Sequence, residues 1–502
     1  MLADFFQVLG QVLAWPTIGM LLVGVLVGSL VAFLPGIGST AGLVLLLPFV
    51  LALDDPVQGI ALLLGAHAVM TTADSVCAIL FAIPGGAGAQ ALLMDGYPMN
   101  LQGRGGQALG ASFTAAGLGG LIGAFALLIA IPLSTPLIKA FGSPELLVLA
   151  LWGISMVGTL SGANQLKGLA MGALGLWLGS FGLDPQRGVP RYVMDSAYLL
   201  DGLSLVAVSL GLFAVPQAIE LIQRRTLINV DTKRVTIDYP QVWSGVIATL
   251  RHWWLLLRSS VMGVFFGIVP GIGGSIIDWL VYGQTVAAAK DRSQFGKGDI
   301  RGVIGPDAAS NSKEGGQLIP TVAFGVAGSS GMAIILSAFI GLGLQPGITM
   351  VTTRVDLTFS MVWTIVVANL IATGGLLAIA PYLARVTLIR APVLASIIIV
   401  FSILGAYMEN RELGDIIALA VFSLVGWAMK ETGWPRPPLL LGFVLSLVLE
   451  RYLFISLNTF GWSWVTRPGV LVLFGVIVVS SVFMFRRGRK GIDDKVRQEA
   501  ML

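Results

Sequence analysis

The first lysine or arginine of this chain is Arg104; before it, aspartate is the only charged residue type. A stretch so poor in charge cannot coat a surface that faces water. The pattern persists to the end: 11% of the 502 residues are charged and 56% are apolar, with a mean hydropathy of +0.88. Soluble domains carry about a quarter charged residues. The chain therefore reads as an integral membrane protein, which argues against a soluble enzyme, a secreted module or a nucleic-acid binder. The single cysteine, Cys77, rules out an internal disulfide, and His67 and His252 are too few for a histidine-built metal centre. No CxxC, HExxH, GxSxG, DDxxD or Walker A pattern occurs, so no catalytic set is expected.

About 20 apolar residues cross a bilayer as a helix. Apolar runs lie near 16–34, 41–53, 59–82, 107–131, 144–160, 166–182 and 200–222, then near 259–269, 275–289, 317–343, 356–380, 391–408, 413–429, 437–457 and 468–485. They are continuous rather than alternating, which argues for helices over strands. Several are too short to cross alone. The expected fold is an all-α polytopic membrane protein with roughly 11 to 13 crossings plus re-entrant pieces. Basic residues orient it. Arg224, Arg225, Lys233, Arg234, Arg251 and Arg258 in the loop 223–258, and the tail RRGRKGIDDKVRQEAML from 486, belong in the cytoplasm. Asp4 without any cation places the N-terminus outside, and the missing basic segment argues against a secretory signal. The bland account of the basic clusters is orientation plus attraction to anionic lipid.

An internal repeat organises the chain. FLPGIGST at 33–40 recurs as IVPGIGGS at 268–275, each after a GxxxG pair, Gly24/Gly28 and Gly263/Gly267. Residues 1–222 and 259–440 are read as two transporter repeats, joined by the basic loop 223–258 and followed by C-terminal helices over 441–485. Residues 259–289 form one apolar unit broken at Pro270-Gly271, too long for one crossing and too short for two. A re-entrant hairpin fits. KDRSQFGKGDIR follows it and belongs inside; LDDPVQ, which lacks a cation, follows the first copy and belongs outside. The two hairpins are thus expected to enter from opposite faces, as inverted-topology repeats.

Pro-Gly in an apolar run exposes backbone groups that hydrocarbon cannot satisfy. The breaks must then face protein or water, which makes Pro35, Gly36, Gly38, Ser39, Thr40, Pro270, Gly271, Gly273, Gly274 and Ser275 candidate substrate-binding residues. Further breaks at Pro84, Gly85 and Gly86 and at Gly328, Ser329 and Ser330 lie at comparable places in the two halves, and Asn311 joins the set. A structural kink or close helix packing is the plainer alternative. Asp74, Asp278 and Asp307 are candidate ion-coupling groups, because an acid near the bilayer centre costs at least ~2.5 kcal/mol. His67, two turns before Asp74, is a candidate proton relay or a locally hydrogen-bonded core residue. Lys313 is the exceptional cation, and Glu314 beside it is its expected neutraliser.

Several stretches carry a resemblance. FLPGIGSTAGLVLLLPF (33–49), MDGYPMNLQGRGGQALG (94–110), GLDPQRGVPRY (182–192), GVFFGIVPGIGGSIIDWLVYG (263–283), FGKGDIRGVIGPDAASNSKEGGQLIP (295–320) and GLGLQPG (341–347) occur in order. Together they resemble the large membrane subunit of the tripartite tricarboxylate transporter family. The resemblance implies a permease of a secondary carrier in the bacterial inner membrane. It would work with a small multi-spanning membrane subunit and a periplasmic solute-binding protein, and would import a tricarboxylate or other small carboxylate with Na⁺ or H⁺. No cofactor is implied beyond Na⁺ as a candidate coupling ion. Physical arguments also favour cation symport. Two half-helix N-termini supply about one positive charge, and the membrane potential opposes anion entry by about 2.3 kcal/mol per charge per 100 mV. A channel without gradient coupling is the alternative.

Overall fold

The computed structural model describes residues 2–33, 38–81, 88–139, 142–148, 151, 165–184, 188–223, 237–269, 274–383, 391–475 and 477–478. Nearly all of these are helical. The one sheet among them is a two-stranded hairpin pairing Gly182 with Arg191 and Leu183 with Pro190. The protein is an all-α polytopic membrane protein. Among the described residues, Pro56–Leu80, Gly105–Leu133, Val355–Tyr382 and Leu413–Glu431 are long and apolar enough to cross a membrane; two bent pairs raise the number to six, and six shorter apolar helices accompany them. The breaks divide the apolar runs, so helix length alone marks fewer crossings than the 11 to 13 expected.

The first half begins with α1 (Leu2–Leu13), α2 (Thr17–Ala32) and α3 (Gly38–Leu51). Asp55 caps α4 (Pro56–Ala73), accepting from Val57 N at 2.9 Å, with Pro56 preset for the first helical position. Next come α5 (Ser75–Phe81), α6 (Gly96–Leu101), α7 (Gly105–Lys139), α8 (Gln165–Leu178) and α9 (Leu205–Gln223). The expected connecting loop holds a helix, α10 (Tyr239–Arg251), capped by Asp238. It lies against α7, where Gly110 and Gly245 let the two backbones touch. The second half continues with α11 (Trp253–Ile268), α12 (Gly274–Ala288), α13 (Arg301–Phe324), α14 (Ser330–Gly341) and α15 (Val355–Ile379). Last are α16 (Ala391–Asn410), α17 (Leu413–Glu431) and α18 (Arg436–Phe460).

Glycines record how the helices run. Gly24 and Gly28 of α2 meet, in that order, Leu62 and Ala66 of α4; Gly263 and Gly267 of α11 meet Ala309 and Lys313 of α13. Thus α2 runs parallel to α4, and α11 parallel to α13. Between them α3 returns antiparallel, with Gly42 beside Val31 and Met70 and Gly59 beside Val50. In the centre, α4 crosses α13 antiparallel, His67 meeting Glu314 and Thr71 meeting Asn311. Helix α7 runs parallel to α13, Gly119 facing Ala308 and Gly123 facing Ser312, and antiparallel to α15, where Gly117 meets Thr373 and Gly120 meets Asn369. Small residues allow these close approaches, since no hydrophobic force drives helices together in lipid. The most apolar window of α4 is 94% buried inside protein, so its polar residues face other helices and not lipid. The pairs Gly168/Gly172 and Gly175/Gly179 serve close packing: Gly175 meets Leu439 and Phe443 of α18, and Gly442 meets Gly172.

Two of the quoted motifs dock on each other. Asp95, fully buried, accepts hydrogen bonds from Gly298 N (3.0 Å), Asp299 N (2.9 Å) and Tyr282 Oη (3.0 Å). Arg104 donates to Gly298 O at 3.3 Å and Gln102 to Lys297 O at 2.6 Å. Asp95→Asn removes the charge from these bonds and should destabilise the junction by about 1.5–3 kcal/mol. Faster tryptic cleavage at the exposed Lys297 is the expected readout; an unchanged cleavage rate would show that the amide serves equally well.

Candidate functional site

Of the sequence-predicted residues, Pro35, Gly36, Pro84, Gly85, Gly86, Pro270, Gly271 and Gly273 lie outside the described residues. Gly38 opens α3, with Ser39 and Thr40 half-buried in its first turn, and Gly274 and Ser275 open α12. The break at 325–331 is described in full. Gly325 takes a left-handed φ of 66° and ends α13; its N–H bonds Thr321 O at 3.1 Å and that of Val326 bonds Pro320 O at 3.2 Å. This is an αL-type stop, at a position where a residue with a Cβ is disfavoured. Ser329 then caps α14, accepting from Met332 N at 3.2 Å. The N–H groups of Ser330 and Gly331 fall in that helix's first turn, where no intrahelical acceptor exists. Val326, Ala327 and Gly328 are buried, so this helix start lies inside the protein.

The polar string GPDAASNSKEGG, a gap in the hydropathy, is the interior of α13. It is helical and buried because Asn311, Lys313 and Glu314 find partners on other helices, while Ser310 and Ser312 are hydrogen-bonded within the helix. Lys313 Nζ donates to Asp278 Oδ2 of α12 at 2.7 Å and to Ser310 Oγ at 3.0 Å. Glu314 Oε2 lies 2.7 Å from His67 Nε2 of α4. Asn311 Nδ2 donates to Thr72 Oγ1 (2.8 Å) and Asn369 Oδ1 (2.9 Å), while Thr71 donates to Asn311 Oδ1. Lys313 and Glu314 act on each other electrostatically, as expected; because adjacent residues on a helix point about 100° apart, each also has its own hydrogen-bond partner on a different helix. Asp278 and Asp307 are buried, with Asp278 Oδ1 and Asp307 Oδ2 unpartnered among the described residues. Asp74 caps the C-terminus of α4 and is half-buried. Among the described residues no group of three or more His, Cys, Asp or Glu side chains is placed to hold a metal ion.

Sequence reasoning passed over Gln317, Asn369 and Thr72. Gln317 is 1% exposed, and neither amide atom has a hydrogen-bond partner among the described residues. It sits between two breaks. A Cβ on Gly328 would lie 3.2 Å from Gln317 Cγ, and one on Gly267, at the end of the helix leading to Pro270, would lie 3.3 Å from Gln317 N. Asn369 had a readable signal: it is the lone amide in the apolar run of α15. His67, Thr71, Asn311, Glu314 and Asn369, with Leu64, Ala68, Leu318 and Ile365, line a small cavity with room for about one water.

The family model for the tripartite tricarboxylate transporter TctA family matches residues 18–441. The chain belongs to this family. Its matched span covers α2 to the start of α18, and so every residue of the central network. Two relatives from Agrobacterium vitis are similar to this TctA-family chain. The uncharacterized 52.8 kDa protein in the TAR-I ttuC' 3' region is 31% identical over 431 residues, 86% of this chain and 85% of the relative. The uncharacterized protein in the TAR-II ttuC' 3' region is 30% identical over 191 residues, 38% of this chain and 79% of the relative. No solved structure matches.

Proposed function

We propose that this TctA-family chain is the permease of a secondary carrier. It imports a small carboxylate with a cation, alongside a small membrane subunit and a periplasmic binding protein, in the bacterial inner membrane. One observation carries the site: the buried Gln317 amide, without a partner among the described residues, lies where the Gly267 end of α11 meets the break at 325–329. A buried amide left unpaired costs about 1–3 kcal/mol. A carboxylate there accepts the Gln317 N–H and the first-turn N–H groups of α14, whose helix dipole favours an anion. Ser39 and Thr40 in the first turn of α3 and Gly274 and Ser275 at the start of α12 are candidates for the opposite walls.

Helix directions support inverted repeats. With 290–301 in the cytoplasm, α13 runs outward and the antiparallel α4 runs inward. Helix α2, parallel to α4, then starts outside, which agrees with a periplasmic N-terminus. The parallel courses of α2 with α4 and of α11 with α13 support re-entrant hairpins that return to their own side.

Gly328→Val tests the site. The branched side chain would press on Gln317 and fill the break. Uptake of citrate and succinate by proteoliposomes holding both membrane subunits and the binding protein should fall at least about tenfold, the loss of one good hydrogen bond in the bound state. Wild-type uptake in a correctly assembled variant would remove this break from the site. Saturable uptake that ignores every cation gradient would point to a facilitated pathway instead.

A further inference from the structure

The matched glycines fix a register between the halves. Gly24 and Gly28 meet Leu62 and Ala66, and Gly263 and Gly267, each 239 residues later, meet Ala309 and Lys313, each 247 residues later. The residues following the second pair are His67 and Glu314, at equivalent positions of α4 and α13, and they bond each other at 2.7 Å. The cavity beside them repeats this relation, for its lining includes Leu64 with Asn311 and Thr71 with Leu318. The pair and the cavity thus sit where the two halves cross, at matched depth in each.

We propose that His67 and Glu314 form the proton-binding site that couples uptake to a proton gradient. This rests on the reading of the 325–331 break as the carboxylate site. A coupling site must open to each side in turn, and a group held equally by both inverted halves is equally distant from either face. His67 Nε2 keeps its hydrogen bond to Glu314 in both protonation states. Its other ring nitrogen, Nδ1, is buried without a partner among the described residues. The loaded state gains one proton at Nδ1, from the outer water, as imidazolium against carboxylate. The unloaded state releases that proton to the cytoplasm and leaves a neutral imidazole against the same carboxylate.

Substrate and proton are linked through α14. A Cβ on Gly331, in the first turn of α14, would lie 3.1 Å from His67 Cε1. The bare helix N-terminus opposes a positive imidazole there; a carboxylate bound to it reverses the sign and favours the imidazolium. By linkage, the proton then tightens carboxylate binding by the same factor. The other charged groups around the pair are Lys313, held by Asp278 of α12, Asp307 on α13 and Asp74 at the end of α4. Helices α3 and α14 carry no charged residue, and α15 carries only Asp356, half-exposed in its first turn. A metal cation in the cavity would face the imidazole, whereas a proton binds to it.

His67→Gln keeps a donor for Glu314 but cannot take a proton. In proteoliposomes with the small subunit and binding protein, wild type should accumulate citrate or succinate under an inward proton gradient without Na⁺, and should alkalinise the outer medium. His67→Gln should lose this accumulation about tenfold or more, while gradient-free exchange of labelled substrate persists at saturating concentration with a raised half-saturation concentration. Proton-driven accumulation by His67→Gln at the wild-type level overturns the proposal, as does loss of exchange together with accumulation. Should the variant fail to assemble, the wild type still decides: accumulation that requires Na⁺ and moves no protons overturns the proposal. Failure of the carboxylate-site reading shows separately, as unchanged exchange in Gly328→Val.

Discussion

Lys313→Ala should lower the stability of the detergent-solubilised protein by about 3–5 kcal/mol, because it leaves Asp278 buried and without its cation. Asp278 is fully buried, and its Oδ2 accepts from Lys313 Nζ at 2.7 Å. Its other oxygen is unpartnered among the described residues, so no second donor stands ready to replace the ammonium. The protein carries its own probe. Cys77, the only cysteine, is fully buried, so its labelling by a thiol-reactive dye is expected to follow unfolding. The midpoint of Cys77 labelling against temperature should drop sharply in Lys313→Ala. It should recover in the double variant Lys313→Met, Asp278→Leu, which replaces the pair with apolar volume. An unchanged midpoint in the single variant would mean that Asp278 is neutral or hydrated, and that the pair does not hold α12 to α13.

Gly315→Leu should prevent folding. A Cβ on Gly315 would fall 2.7 Å from Gly123 Cα, where α7 and α13 touch backbone to backbone. No rotamer relieves that overlap. The helices must separate, and the crossing that supports Asn311, Lys313 and Glu314 opens. Losses above about 4–5 kcal/mol belong to this kind of overpacking and lie beyond what a marginally stable protein withstands. The expected result is no monodisperse protein and immediate labelling of Cys77. Gly283→Leu on α12 is the control, since nothing lies within 4 Å of its Cβ position; it should stay within about 0.5 kcal/mol of wild type. A folded Gly315→Leu protein would show that α7 and α13 do not pack as closely as their glycines indicate.

Some of the candidate site was legible in the chain. Ser329 and Gly328 were recognisable because Gly and Ser at a helix break announce an unpaired backbone. Asp278 was recognisable because an acid in an apolar run needs a reason. Gln317 was not, since one glutamine at the edge of a polar string looks like surface. His67 gave an ambiguous signal: its spacing from Asp74 pointed along its own helix, while its partner lies on another, 247 residues away. The stretch 301–316 lies outside the apolar runs, yet it forms the first two-thirds of a buried helix, because its partners on α4, α12 and α15 make burial favourable.

Residence in the membrane, helix as the dominant secondary structure of the described residues and the places where Pro and Gly interrupt the apolar runs all follow from the sequence alone. Each depends on local composition: apolar length, the missing N–H of proline, the missing Cβ of glycine. Which ion belongs to which partner was decided only by the tertiary structure. Lys313 turns to Asp278, Glu314 to His67 and Asn311 to Thr72 and Asn369 because α13 is crossed by different helices on different faces. The turn of a helix, 100° per residue, separates neighbours in sequence and hands each to its own neighbour in space.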